Sequence, residues 1–210
     1  MKGTLYRLNS ESTTPEFYWK LKMNNELKEP AQTYYYDAQK KIHTEETLVY
    51  EKGKLKEYSY IRHNINEQAM VTITDDGLLF TRTFNGQIKT STKEYRKNYL
   101  FGPQIVTFIR DNFKALEKGT SIEINYGALN RLNAYRFILK RDRSHPLNSK
   151  DKLIIKMDAD SFIVRQFADP IYFVLNKNGT KIHRIIGRAL PASNINGKIG
   201  VIDSDFKIRD

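Results

Sequence analysis

Cysteine is absent from this chain of 210 residues. The absence excludes disulfide bridges, thiol catalysis and cysteine-ligated metal sites. It does not decide the compartment, because exported proteins without cysteine are also common.

Long apolar runs are also missing. No stretch approaches the roughly 18 consecutive apolar residues of a membrane-spanning helix. The beginning of the sequence lacks the charged, apolar and small-residue segments of a secretory signal peptide. Hydrophobic residues make up 40% and charged residues 28% of the chain, which predicts a folded protein with a proper core. We expect one domain over residues 1–210, because all-β chains of this length are often single domains.

Motifs for catalysis or metal binding are equally scarce. None of the four histidines has another histidine two to four positions away, so no local zinc motif exists. The sequence lacks a nucleophile elbow, a phosphate-binding loop and a dinucleotide fingerprint. Asp158 with Asp160, and Asp203 with Asp205, form short carboxylate pairs, but the spacing of a calcium loop is absent. We therefore predict no catalytic residue, metal or cofactor, and a protein that is not an enzyme.

The chain has an excess of positive charge. Lysine and arginine number 35 against 24 acidic residues, for a net charge of +11. Such a balance permits binding to nucleic acid, anionic lipid or another polyanion, although the basic residues are spread along the whole chain. Tyr34 and Tyr36 should share one sheet face, where tyrosines interleaved with lysines could stack on bases or simply form cross-strand pairs. No RNA-binding motif is present, so nucleic acid is the less favoured partner.

Most of the chain is predicted to form short strands. The segments 42–51, 54–62, 68–74, 78–84 and 87–93 are rich in β-branched and aromatic residues. Tight turns at Gly53, Gly77 and Gly86 separate them, and Asn-Gly and Asp-Gly are strong hairpin signals. Further strands are predicted after residue 119, with a last hairpin around Asn178-Gly179 and a final strand near Ile199. This spacing predicts an antiparallel meander.

One long amphipathic helix is predicted over residues 101–116. Its apolar arc includes Ile105, Phe108 and Ile109 and must be buried against the sheet. Pro103 suits the first turn, and the helix should end at Gly119. Asn112 falls inside the apolar arc, where a buried amide needs partners. It could anchor the helix to a strand end or contact a ligand.

A second, short helix is predicted after Asp160 and should end before Pro170. It carries four large apolar side chains that one helical stripe cannot all bury, namely Phe162, Ile163, Val164 and Phe167. The segment could pack against the long helix as ordinary core. Alternatively, it could be a movable lid over a groove between the sheet and the long helix.

Three stretches together resemble a family of uncharacterised bacterial envelope proteins: residues 33–58, the run NYLFGPQIVTFIRDNFKALEKG with the strands after it, and MDADSFIVRQFADPIYFVLNKNG with its continuation. That family is similar in architecture to the LolA/LolB lipoprotein carriers. The resemblance implies a strongly curved antiparallel sheet, an incomplete barrel with helices on its concave side. It also implies export and an apolar groove, and it carries over no catalytic residue.

The sequence therefore predicts a mainly β protein with a curved antiparallel sheet, one long amphipathic helix and one short helix. We expect it to bind an apolar or amphipathic envelope molecule, such as a lipid or a lipoprotein acyl chain. The expected groove and lid residues are Phe108, Asn112, Phe162, Ile163, Val164 and Phe167. The alternatives are a basic polyanion-binding module, including one for an anionic lipid surface, and a scaffold without a small ligand. The periplasm or cell envelope is the expected location if a signal peptide has been removed, with the cytoplasm as the alternative.

Overall fold

The computed structural model describes residues 1–8, 13–166, 169–195 and 198–209. Within these ranges, fifteen strands form one sheet with the order β8-β7-β6-β5-β4-β3-β2-β1-β15-β14-β13-β12-β11-β10-β9. The strands are β1 (Lys2–Arg7), β2 (Phe17–Asn24), β3 (Glu29–Tyr36), β4 (Ile42–Glu51), β5 (Lys54–Arg62), β6 (Glu67–Thr74), β7 (Gly77–Phe84), β8 (Gln87–Lys93), β9 (Tyr99–Leu100), β10 (Ile122–Ala128), β11 (Asn133–Arg141), β12 (Lys152–Ala159), β13 (Ile171–Asn176), β14 (Ile182–Ile195) and β15 (Lys198–Arg209). Neighbouring strands are antiparallel except for the short parallel pair of β9 and β10.

The described helices are α1 (Gln104–Asp111), α2 (Phe113–Lys118) and α3 (Phe162–Arg165), and short 3-10 turns occupy His63–Ile65 and Leu129–Arg131. None of these helices combines the length and apolar composition that crossing a bilayer requires. The prediction of a mainly β protein built on an open, curved antiparallel sheet is confirmed.

The predicted long helix is in fact two helices that meet at Asn112. The backbone of Asn112 has φ −100° and ψ 11°, outside the helical range. Its side-chain amide donates a hydrogen bond to the carbonyl oxygen of Phe108 at 2.9 Å, which its own backbone N–H also approaches at 3.1 Å. This side-chain competition for a helical carbonyl is typical of asparagine inside a helix. The predicted end is confirmed, because Gly119 caps α2 with φ 99°.

The larger hydrophobic core lies between the helices and one face of the sheet, which we call the inner face. Ile109 and Leu116 are fully buried there against Leu5 of β1, Ile155 of β12 and other inward-facing residues of β2 and of β10 to β15. A second cluster lies on β4 to β7. Its centre is Phe101, whose ring stacks between Tyr58 and Tyr99.

The sheet is continuous because its first and last strands pair with each other. All six residues of β1 are in antiparallel register with β15, from Lys2 opposite Arg209 to Arg7 opposite Ser204. Two antiparallel meanders, β1 to β8 and β10 to β15, thereby become one sheet whose seam is the β1–β15 pair, with β9 added in parallel at the edge of the second.

Candidate ligand groove between helix and sheet

A groove with a cavity volume of about 300 Å³ lies between α1 and the inner face of the sheet. It is lined by Met1, Val106, Arg110, Thr180, Lys181, Ile182 and Ile208. We call it the helix–sheet groove. The sequence predicted a ligand between the helix and the sheet, although the residues that line this groove differ from the predicted ones.

Two local features form the groove. Val106 and Arg110 are one helical turn apart on α1, so their side chains project from the same face. The turn between β13 and β14 is held against the helices by Gly179, which has φ 71°, and a Cβ atom there would lie 2.1 Å from the ring of Phe113. Only glycine allows this approach, and it places the following residues, 180–182, beside α1.

The groove is amphipathic. Val106, Ile182 and Ile208 are buried apolar side chains, whereas Arg110 and Lys181 contribute positive charge. Glu29 lies near Arg110, and its pKa is raised, mainly by burial and further by the charge of Asp111, although a hydrogen bond with Thr107 and, to a smaller extent, the charge of Arg110 oppose the shift. Among the described residues, no carboxylate forms an ion pair with Arg110. Its guanidinium can therefore donate hydrogen bonds to an acidic group of a ligand.

A buried carboxylate cluster lies on the inner face of β3 to β5, away from the groove. Glu46 is only 4% exposed, and its two oxygens accept hydrogen bonds from Tyr58 at 2.7 Å and Tyr35 at 3.2 Å. Burial raises the pKa of Glu46 even though these hydroxyl groups lower it. Gly102, with φ 49°, lets the chain pass close to Glu46 and Tyr58 before α1 begins.

A second buried carboxylate, Glu67, is paired with two arginines. Its oxygens lie 2.7 Å from Arg62 and 2.6 Å from Arg82, and the Tyr60 hydroxyl donates to it at 3.1 Å. Arg62 also donates to the backbone carbonyl oxygen of Leu190 on β14 at 2.8 Å, across 128 residues of sequence. The network therefore joins β5 to β14, two strands that are not neighbours in the sheet. This long-range connection indicates a structural role.

Sequence reasoning missed these buried charges, although the alternation of side chains contained a signal. Thr44, Glu46 and Leu48 are successive inward-facing residues of β4, and all three are buried. A carboxylate at such a position must be protonated or supplied with hydrogen-bond donors. The period of two in the strand would have identified Glu46 as a buried group.

Phe108, predicted as a ligand contact, lies on α1, and Asn112, predicted likewise, lies at the junction of α1 and α2; both stay predictions. Phe108 is partly buried against the larger core. Asn112 bonds to its own helix and not to a strand end. Neither lines the helix–sheet groove.

The predicted lid residues lie at α3, between β12 and β13. Phe162 and Ile163 are 73% and 68% exposed, and Val164 is partly buried. Phe167 lies outside the described residues. The three described side chains do not line the groove, and the lid interpretation stays a prediction.

Within the described part of the chain, no group of three or more histidine, cysteine or acidic side chains is arranged to hold a metal ion. Comparisons with protein-family models, with curated proteins and with solved structures found no match to this chain.

Proposed function

We propose that this protein is a non-enzymatic binder of an amphipathic molecule, such as a lipid or a lipoprotein acyl chain, held in the helix–sheet groove. The observation that carries the proposal is the composition of the groove, in which apolar side chains from α1, β14 and β15 lie beside Arg110 and Lys181. Its volume of about 300 Å³ is at the lower end of the range for small-molecule sites.

Arg110 favours a ligand with an acidic headgroup. Arginine pairs with carboxylate or phosphate through two parallel hydrogen bonds. An acyl chain would then contact Val106, Ile182 and Ile208, which are already buried, so the hydrophobic gain would come mainly from the acyl chain leaving water. A fatty acid or a singly acylated phosphate fits this arrangement better than a neutral hydrocarbon.

A LolA/LolB-like role in the cell envelope is the finer form of the proposal. The support for it is the open, curved antiparallel sheet with α1 and α2 packed on its inner face. The periplasm or cell envelope remains the predicted location.

The direct test is native mass spectrometry of protein purified from its own cell, followed by titration of delipidated protein with a fluorescent fatty acid. Val106→Trp should fill the groove and weaken binding at least tenfold, whereas Val49→Trp, at an exposed site on β4, should leave binding unchanged. Arg110→Glu should weaken binding of the fatty acid but not of the matching fatty alcohol. Unchanged binding by both groove variants would refute the proposal.

The lid interpretation has its own test in the double substitution Phe162→Ser with Val164→Ser. Because Phe162 is largely exposed, the melting temperature should change little. A lid predicts faster release of bound fatty acid from the variant, measured by stopped-flow fluorescence. Equal release rates would show that α3 does not gate the groove.

A further inference from the structure

The outer face of the sheet carries a cluster of tyrosines and lysines at the seam between the first and last strands. We call it the tyrosine–lysine face and define it as Lys2, Tyr6, Tyr18, Lys20, Lys22, Tyr34, Tyr36 and Lys207. These residues come from β1, β2, β3 and β15, which are neighbours in the sheet. Four strands span three inter-strand spacings, or about 14 Å.

The strand register places these side chains together. Tyr18 is directly opposite Tyr36, and Lys20 is directly opposite Tyr34. On the other side of β2, Lys20 is opposite Lys2. Residues directly opposite each other in antiparallel strands point to the same face, so this cluster follows from the backbone pairing.

Ring contacts show that lysine and tyrosine side chains meet on this face. The ammonium of Lys22 lies 5.1 Å from the ring centre of Tyr34, and that of Lys207 lies 4.3 Å from the ring centre of Tyr6. Tyr34 and Tyr36 stack with their centres 6.2 Å apart. Tyr18 is 42% exposed, and its ring is the one most accessible to a partner.

The exposed lysines of this face outnumber the carboxylates near it. Asp205 is the one carboxylate among the described side chains of β1, β2 and β15; it is buried and bound to Arg184. Glu45 on β4 is opposite Tyr34, and it lies 2.9 Å from His63. The four exposed lysines therefore give the face a net positive charge.

The helix–sheet groove and the tyrosine–lysine face lie on opposite sides of the same strands. On β15, Ile208 contributes to the groove, whereas its neighbour Lys207 lies on the outer face. Each site can therefore be tested with substitutions that leave the residues of the other unchanged.

We propose that the tyrosine–lysine face binds single-stranded nucleic acid, with a base stacked on the exposed ring of Tyr18 and phosphates paired with the lysines. The sequence alone favoured other partners, but the register brings together the two elements that such binding needs, a cationic surface and an aromatic platform. An anionic membrane or a sulfated polysaccharide would use the same lysines and would not need the rings.

The first test is fluorescence anisotropy with a labelled oligothymidine of about 12 nucleotides, within the site sizes of single-strand binders. Tyr18→Ala should weaken binding about fivefold or more, because that is the loss of affinity expected when one base can no longer stack on an aromatic ring. Tyr18→Phe, which keeps the ring, should bind the oligonucleotide as tightly as the wild-type chain does. Tyr95→Ala is the matched control, because Tyr95 is 52% exposed but lies outside the face.

The second test separates phosphate contacts from general charge. Lys20→Ala and Lys22→Ala should each reduce the slope of log affinity against log salt by about 0.7, the value for one phosphate contact with a single strand. Lys114→Ala on α2 should leave the slope unchanged. An abasic strand of equal length should bind more weakly than oligothymidine.

Three outcomes would overturn the proposal. One is equal binding of the abasic strand and unchanged affinity of Tyr18→Ala, which would reduce the face to a non-specific cationic surface. Another is binding to vesicles of phosphatidylglycerol or to heparin with no binding to the oligonucleotide. The third is absence of all binding at low salt.

Discussion

Replacing Glu67 with glutamine tests the structural role of the buried ion-pair network. The side chain of Glu67 is 1% exposed and that of Arg62 is 6% exposed, and they are 2.7 Å apart. Glutamine keeps the size of the side chain and one carbonyl oxygen, so the substitution removes the charge with little change in packing. It also leaves the hydrogen bond from Arg62 to Leu190 without a neighbouring carboxylate.

The expected loss of stability follows from the burial of Arg62. Removing one partner of a buried pair leaves an uncompensated charge and costs about 3–5 kcal/mol. The lost ion pair with Arg82 adds less to this destabilisation, because the side chain of Arg82 is 27% exposed and water can solvate it after the change. Against a total stability of about 5–15 kcal/mol, this loss should be large and easily measured.

The same variant predicts a change in the pH dependence of folding. Desolvation alone would raise the pKa of Glu67, but Arg62 and Arg82 outweigh it and lower the pKa below its ordinary value of 4.5. The folded protein therefore binds this proton more weakly than the unfolded chain does. Stabilisation by Glu67 is complete above pH 4.5 and is lost as the pH falls through the lower pKa of the folded state.

The measurement is urea unfolding of the wild-type chain and Glu67→Gln between pH 3 and pH 7. The difference between the two free energies of unfolding isolates Glu67 from other titrating groups, including Glu46, whose pKa shifts the opposite way. The control is Glu51→Gln, because Glu51 is 60% exposed and 3.6 Å from Lys56, a pair worth about 0–1 kcal/mol. A loss below about 1 kcal/mol for Glu67→Gln, or a difference that does not shrink at low pH, would refute the argument.

Two further predictions concern the packing of the helices, and both use thermal or urea unfolding. Ile109→Asp should cost at least about 3 kcal/mol because it buries an unpaired charge in the larger core, whereas Lys114→Asp on the exposed side of α2 should cost little; equal losses would mean that α1 does not face the core. Gly179→Ala should cost about 2–4 kcal/mol, since its left-handed backbone conformation is strained for alanine and the new Cβ would displace the ring of Phe113. Gly86→Ala has a similar φ of 74° with open space around it, so it should cost only about 1–2 kcal/mol, and equal effects at both glycines would rule out the contact with Phe113.

Local elements were predictable because their signals are local. The bounds of β4, β5 and β8 agree with the segments read from β-branched residues and turn glycines. Gly119 ends the helical region as expected, because a left-handed cap requires no knowledge of the tertiary fold. The break at Asn112 was missed, since the apolar periodicity continues across it and does not encode the non-helical backbone conformation of that one residue.

The candidate site was less predictable than the fold, because it depends on contacts between distant segments. The sequence indicated a gap between helix and sheet, but the residues expected to line it came from the apolar arc and the short helix. The observed lining joins α1 to residues 180–182 and to Ile208 near the end of the chain. Their approach depends on Gly179 packing on Phe113, a contact that no local pattern in either segment encodes.

Both proposed sites depend on the pairing of β1 with β15, which joins the two ends of the chain. Lys2 to Arg7 form an unremarkable strand in sequence, and nothing local assigns them a partner about 200 residues away. Once paired, the two strands place Ile208 on the inner face beside α1 and Lys207 on the outer face beside Tyr6.

A one-residue shift in this register would exchange the two faces of β15, and it would bury Lys207 while exposing Ile208. The buried Leu5 and Phe206, directly opposite each other in this pair, oppose such a shift, because Phe206 would turn out of the core and lose its contact with the inner face. The register of one strand pair therefore holds the apolar groove and the cationic face in place together.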